Sequence, residues 1–240
     1  MTAVILTAGL SSRLRPLTDT LPKALLPVGG KPLLQRTLET LTLPDIDRLV
    51  VVTGFQHRLV EGFVGALRLP IPVTFVFNQR FASTNNNYSL WLAGPQVSGD
   101  ALVLVDCDIL FSQEILKSLL AFSRVDALIV RSREAVGTEE MKIILDPSGR
   151  VLRIGKEIAP EAATGESVGI EKFSSSTVRS LFAALDRRRD HNEFYEAAFQ
   201  ELIDSGTEIY AIDCGQQPCM EIDTPDDLRA AEELALAHRL

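Results

Sequence analysis

The sequence predicts an α/β protein with a mainly parallel sheet covered by helices on both faces, and three observations predict it. Short apolar, β-branched runs recur at residues 3–7, 48–53, 101–105 and 126–132, with stretches of helical spacing between them. These runs are apolar almost throughout, as strands buried on both faces are, instead of alternating with polar residues. At 240 residues, 46% hydrophobic and 23% charged, the chain is long enough to bury a large core without a disulfide or metal staple.

In chain order, residues 3–7 read as an opening strand, and 32–41 as a helix begun by Pro32, which carries no N–H to leave unpaired. The run 48–53 is a strand, 56–67 a helix and 72–78 a strand; 88–92 form the centre of a helix. ALVLV at 101–105 is a buried strand, 113–122 an amphipathic helix and 126–132 a further strand. Near Thr138 the pattern changes. Residues 141–145 and 151–154 flank Asp146-Pro147-Ser148-Gly149, a turn sequence, and so form a hairpin. A strand at 167–173, helices at 177–188 and 194–204, a strand at 207–212 and a helix at 225–238 capped by Thr224 complete the chain. No repeat or linker divides it. The expected organisation is one domain, 1–240, in two parts, 1–135 and 136–240.

With 32 acidic against 24 basic residues the net charge is −8, which gives no long-range attraction to nucleic acid or to an anionic membrane. The N-terminus is apolar but lacks the basic segment of a signal peptide, and no stretch reaches membrane-spanning length. Cys107, Cys214 and Cys219 lack the paired spacing of a zinc site and read as reduced thiols, so a soluble, cytoplasmic protein is expected.

Ligands of open parallel sheets bind beyond the carboxyl ends of the strands. The segment after the first strand, Ala8-Gly9-Leu10-Ser11-Ser12-Arg13 and on to Pro22-Lys23, is rich in small residues. Such a backbone can approach a phosphate and donate its N–H groups to it, with Arg13 and Lys23 adding positive charge. The glycine spacing fits neither a P-loop nor a dinucleotide fold, and an ordinary surface loop is the competing reading.

At these residues the chain resembles a known family. AVILTAGLSSRLRPLTDTLPKALLPVGGKPLL is similar to the N-terminal signature of the nucleotidyltransferases that activate sugar phosphates and phosphocholine. The resemblance implies a Rossmann-like three-layer α/β/α sandwich with a mixed sheet. It implies that Ala8, Gly9, Leu10, Ser11, Ser12 and Arg13 wrap the triphosphate, and that Arg13 and Lys23 are catalytic, stabilising charge as pyrophosphate leaves. Carboxylates from distant parts of a chain can hold Mg²⁺; in this family the aspartates matching Asp108 and Asp223 carry the metal, with Asp106 a nucleotide-side neighbour. Asn85-Asn86-Asn87-Tyr88-Ser89-Leu90 looks like the phosphocholine cytidylyltransferase branch and its aminophosphonate-activating relatives, making Asn86 and Ser89 the cytosine contacts; helix capping by Asn, with Tyr88 and Trp91 in the core, is the plainer alternative.

For the acceptor, Lys156 stands where the family places a lysine on the acceptor phosphate, and Glu166 and Glu196 are candidate amine or hydroxyl contacts; for both a solvated surface carboxylate is the competing reading. Residues 138–152 contain no Trp or Tyr, unlike the phosphocholine enzymes, so an aromatic cage for a quaternary ammonium is not expected there. His57, His191, His238 and Arg187–Arg189 read as polar or solvated positions. The expected activity is Mg²⁺-dependent transfer of CMP from CTP to a small phosphorylated or phosphonate acceptor. The alternatives are a sugar-1-phosphate nucleotidyltransferase using UTP, GTP or dTTP, and an inactive nucleotide-sensing module.

Overall fold

The computed structural model describes residues 1–97, 99–132, 136–238 and 240. The expected division at 135/136 abuts residues outside this set. In order the elements are β1 (Thr2–Leu6), β2 (Pro27–Val28), β3 (Lys31–Pro32), α1 (Leu33–Thr40), β4 (Arg48–Thr53), α2 (His57–Ala66), β5 (Val73–Phe77), α3 (Asn86–Val97), β6 (Leu102–Asp106) and β7 (Ile109–Phe111). There follow α4 (Gln113–Ala121), β8 (Ala127–Arg131), β9 (Lys142–Leu145), β10 (Val151–Gly155), β11 (Gly165–Phe173), α5 (Ser175–Arg187), α6 (Glu196–Asp204), β12 (Tyr210–Asp213), β13 (Cys219–Glu221) and α7 (Pro225–His238).

Nine strands form one mixed sheet, in the order β10-β9-β11-β6-β1-β4-β5, with β8 beside β11 and β12 beside β8. The ladders β6-β1-β4-β5 and β12-β8 are parallel; β11 runs antiparallel to β6, β8 and β9. Successive side chains of a strand point to opposite faces, and the core divides accordingly. Ala3, Ile5, Leu49, Val51, Val103 and Val105 pack against α1, α2 and α4; Val4, Leu6, Val50, Val52, Leu102 and Leu104 pack against α3, α5 and α6. Each fully buried Val or Leu contributes about 1.5–3 kcal/mol, and this two-sided burial produces the three-layer α/β/α sandwich expected.

Two strand pairings went unseen in the sequence, β2 with β3 and β7 with β13. The β2–β3 hairpin and α7 enclose a small third cluster around Val28, Leu33, Leu110 and Ile222, and β7 pairs antiparallel with β13, placing Glu221 opposite Ile109. Other readings shift in detail. Trp91 lies at the edge of the core and donates from its indole to Asp186 at 3.2 Å, with Tyr88 stacked on it. His191 is half-buried against Tyr88, and Arg188 bridges Glu193 and Glu201 instead of facing open solvent. His57 starts α2, stacked on Phe77.

The buried carboxylate of Asp126 is a joint between sheet and helix: it accepts from Ser174 N at 2.6 Å and from Thr177 Oγ1 at 2.7 Å, at the N-terminus of α5. Losing it strands buried donors, a cost of about 1–3 kcal/mol. Thermal denaturation of Asp126→Ala should therefore show a Tm lowered by roughly 2–10 °C; an unchanged Tm would refute this role.

Candidate active site

The carboxyl ends of β1, β4 and β6 are drawn together by backbone bonds from Thr7 N to Val52 O, Phe55 N to Ala8 O and Cys107 N to Leu6 O. Beyond them opens a cavity of about 580 Å³, within the range of small-ligand sites. Ala8, Gly9, Ser11, Arg13 and Lys23 line it, and a Cβ added at Gly9 meets nothing within 4 Å, so this backbone faces open space. The loop is held by Thr18 Oγ1, which donates to Ser11 O at 2.8 Å, and by Leu14 N, which donates to the same oxygen. Of the expected loop contacts, Leu10 and Ser12 do not line the cavity: Leu10 is half-buried and Ser12 is exposed in the short 3-10 turn that carries Arg13.

On the opposite wall the β7–β13 ladder and the bond from Ile222 N to Asp108 O at 2.9 Å bring Asp108 and Asp223 together. Lys23, its side chain 5% exposed, bridges them with its Nζ 3.0 Å from Asp108 Oδ2 and 2.9 Å from Asp223 Oδ1. Arg13 donates to Asp223 Oδ2 at 2.6 Å. Burial alone would lower the Lys23 pKa, but the two carboxylates outweigh it and hold the ammonium above the usual lysine range. Burial raises Asp223, and the ion pair with Lys23 more than reverses this, so it stays ionised below the usual range.

A third carboxylate, missed in the sequence reading, joins them. Oxygens of Asp108, Glu221 and Asp223 lie within 4.8 Å of one another, an all-oxygen donor set that fits a hard divalent cation such as Mg²⁺. Desolvation of the carboxyl, and then the charges on Asp108 and Asp223, push Glu221 up to about 8, although the residue as a whole is exposed; a cation would relieve that repulsion. The signal lay in the Glu-x-Asp spacing where the short strand β13 ends. The start of α7 fixes the place of Asp223: Thr224 Oγ1 accepts from Asp227 N at 3.2 Å, and Asp227 Oδ2 accepts from Asp223 N and Thr224 N at 3.0 and 2.7 Å. This reciprocal capping explains Asp227 as a helix-start residue.

Asp106, half-buried at the cavity wall, accepts from the Tyr195 hydroxyl at 2.9 Å; desolvation of its carboxyl, then the charges of Asp108 and Glu196, raise it well above the carboxylate range. Gly169 allows β11 to pass beside it. The strand bulges between Ser167 and Glu171, Gly169 takes φ +73°, and a Cβ there would stand 2.9 Å from Asp106 Oδ2. Asn86 and Ser89 reach the same cavity but serve the fold as well: Asn86 Oδ1 accepts from Tyr195 N at 2.9 Å, and the buried Ser89 Oγ accepts from Asn78 Nδ2 at 3.1 Å.

The remaining wall comes from β8–β11 and α6. Lys156 follows β10 with its Nζ 4.6 Å above the Phe194 ring, and Arg131 at the end of β8 pairs with Glu166 at 3.3 Å. Glu166 and Glu196 are buried, each 6% exposed, so neither is a solvated surface carboxylate. Glu196 Oε2 has no hydrogen-bond partner among the described residues, and burial raises the group to about 7 against the opposing charge of Lys156. Arg131, Glu139, Glu140 and Met141 also line this part. Cys214 and Cys219 are buried free thiols beside Arg131.

Comparison with known proteins fits this geometry. The profile of the MobA-like NTP transferase domain matches residues 3–198. The chain is 26% identical over 238 residues, 98% of each protein, to the choline-phosphate cytidylyltransferase of Streptococcus pneumoniae. It is 28% identical over 201 residues to the 2-aminoethylphosphonate cytidylyltransferase of Lancefieldella rimae, covering 83% of this chain and 76% of that one. The structure of the CTP:phosphocholine cytidylyltransferase from S. pneumoniae superimposes with a TM-score of 0.80 at 24% identity, over 97% of this chain and 98% of the other. With the small-residue loop, the bridging lysine and the oxygen-rich cluster in one cavity, the chain belongs to the MobA-like NTP transferase family and is a nucleotidyltransferase.

Proposed function

We propose that the protein transfers CMP from CTP to a small acceptor carrying a phosphate or phosphonate and an amine, releasing pyrophosphate. The observation that carries this reading is one continuous cavity that joins the Ala8–Arg13 loop and Lys23 to a wall holding both Lys156 and the partner-seeking carboxylate of Glu196. An acceptor with a negative and a positive end matches that pair of charges. The aromatic side chains lining the cavity are Phe81 and Phe194, too few for the cage that a quaternary ammonium favours. The cytidylyltransferase relatives support cytosine as the base, with Asn86 and Ser89 beside it. In this reading residues 1–135 mainly hold the nucleotide, residues 136–240 mainly hold the acceptor and supply Asp223, and the two parts form one unit. Among the described residues no helix is long and apolar enough to cross a membrane, and the three buried thiols accord with work in a reducing cytoplasm.

The acceptor oxygen, anionic at neutral pH, attacks the α-phosphorus; the new P–O bond forms as the bond to pyrophosphate breaks. No general base is needed. Lys23 and Arg13 stabilise charge on the phosphates, and Lys156 orients the acceptor oxyanion. Asp108, Glu221 and Asp223 would hold a divalent ion, for which we propose Mg²⁺, and when bound it would supply further charge neutralisation.

The test is pyrophosphate release with Mg²⁺, crossing the four ribonucleoside triphosphates and dTTP with phosphocholine, aminoalkylphosphonates and sugar 1-phosphates. Release confined to CTP and an amine-bearing acceptor is expected. Activity with UTP, GTP or dTTP and a sugar phosphate would replace the reading with the sugar-nucleotide one, and nucleotide binding without release would favour a sensing module. In the same assay Lys23→Met should lower kcat/KM by about 100-fold or more, equivalent to about 3 kcal/mol of barrier; near-normal turnover rules out its role. Glu221→Gln should raise the Mg²⁺ concentration giving half-maximal rate, without lowering Tm.

Glu196 must be ionised to hold an ammonium. Acceptor KM should therefore fall as pH rises toward 7, by up to roughly tenfold per pH unit, and level off above it. The stability effect has the opposite direction. Because the folded pKa, about 7, exceeds the ordinary 4.5, ionisation costs stability progressively between those values. Glu196→Gln should flatten the KM profile and raise Tm above pH 7. A KM profile identical to that of the parent would remove Glu196 from acceptor binding.

A further inference from the structure

We infer that Lys142 is a positioning residue for the acceptor: its buried side chain holds the Gly137–Glu140 turn as a wall of the binding cavity. The inference rests on the functional reading above.

Lys142 is 1% exposed, and a buried ammonium persists only where its donors are satisfied. Its Nζ donates to the backbone carbonyls of Thr138 at 2.9 Å, Glu140 at 3.1 Å and Gly137 at 3.5 Å, all within one turn. That turn belongs to no helix or strand, so the lysine gives its carbonyls what a ladder gives elsewhere. Glu139, Glu140 and Met141, in and after the turn, line the cavity. On the sheet side Lys142 pairs with Gly155 of β10, the residue before Lys156, and with Glu166 of β11. One residue thus joins the turn to the strand that leads into Lys156 and to the strand that carries Glu166, and none of these bonds reaches the Ala8–Arg13 loop. A Cβ added at Gly137 would stand 2.5 Å from the Glu140 carboxylate, so that cavity-lining side chain would have to swing away.

The test compares the parent chain with Lys142→Met, Lys142→Arg and Gly137→Ala by amide hydrogen exchange and by steady-state kinetics. In Lys142→Met, exchange of the amides at 137–141 should rise at least tenfold while those of β1, β4 and β6 stay unchanged. Acceptor KM should rise at least fivefold, with CTP KM and kcat within twofold of the parent. Lys142→Arg should recover part of both effects. Gly137→Ala, which keeps the buried ammonium, should reproduce the acceptor-specific rise more weakly and decides the matter if Lys142→Met does not fold. Unchanged exchange in the turn, or CTP KM rising in step with acceptor KM, overturns the inference. If the parent chain transfers CMP to no acceptor, the functional reading fails separately; the exchange measurement still scores the turn, and no change there overturns the role of Lys142.

Discussion

The ammonium of Lys23 between Asp108 and Asp223 is the interaction on which the site depends. It joins a loop near the N-terminus to carboxylates 85 and 200 residues further on, and without a cation the two carboxylates would repel across a few ångströms. The sandwich brings the three segments close, and the bridge then fixes their spacing. Chemistry and architecture meet there, because the cations that neutralise the acids in the resting chain are the ones proposed to meet the phosphates. Their charge is matched in advance, and little reorganisation is needed when one set of anions gives way to another.

The sandwich was legible in the sequence because its signals are strong and local. Apolar runs such as ALVLV need two covered faces, and the turn sequence 146–149 announced the β9–β10 hairpin. What escaped notice was short. The three-residue strands β7 and β13 carry too few residues to show a period, and their pairing spans more than a hundred positions of sequence. That ladder brings the acidic residues together, so the carboxylates were visible individually while the reason for their convergence was not.

The candidate site was legible in similar proportion. The small-residue loop with Arg13 and Lys23 stood out by composition and order, and most of the expected contacts line one cavity. Leu10 and Ser12 fall outside it, Ser12 at the first position of a short 3-10 segment that a linear reading does not register. For Glu166 and Glu196 the sequence set acceptor contact beside a solvated surface carboxylate, since burial of a carboxylate depends on neighbours from β8, β11 and α6 that no local pattern encodes. Lys142 was invisible for the same reason: its partners are backbone carbonyls, which every residue carries.

The bulge at Gly169 has a genetic consequence. Every single-base change in a glycine codon that alters the residue adds a side-chain carbon or ends the chain. Here that carbon would combine a positive φ with a contact of 2.9 Å against the Asp106 carboxylate. Drift at this codon therefore has no neutral neighbour, and an alternative residue becomes accessible only after Asp106 or the path of β11 has changed first.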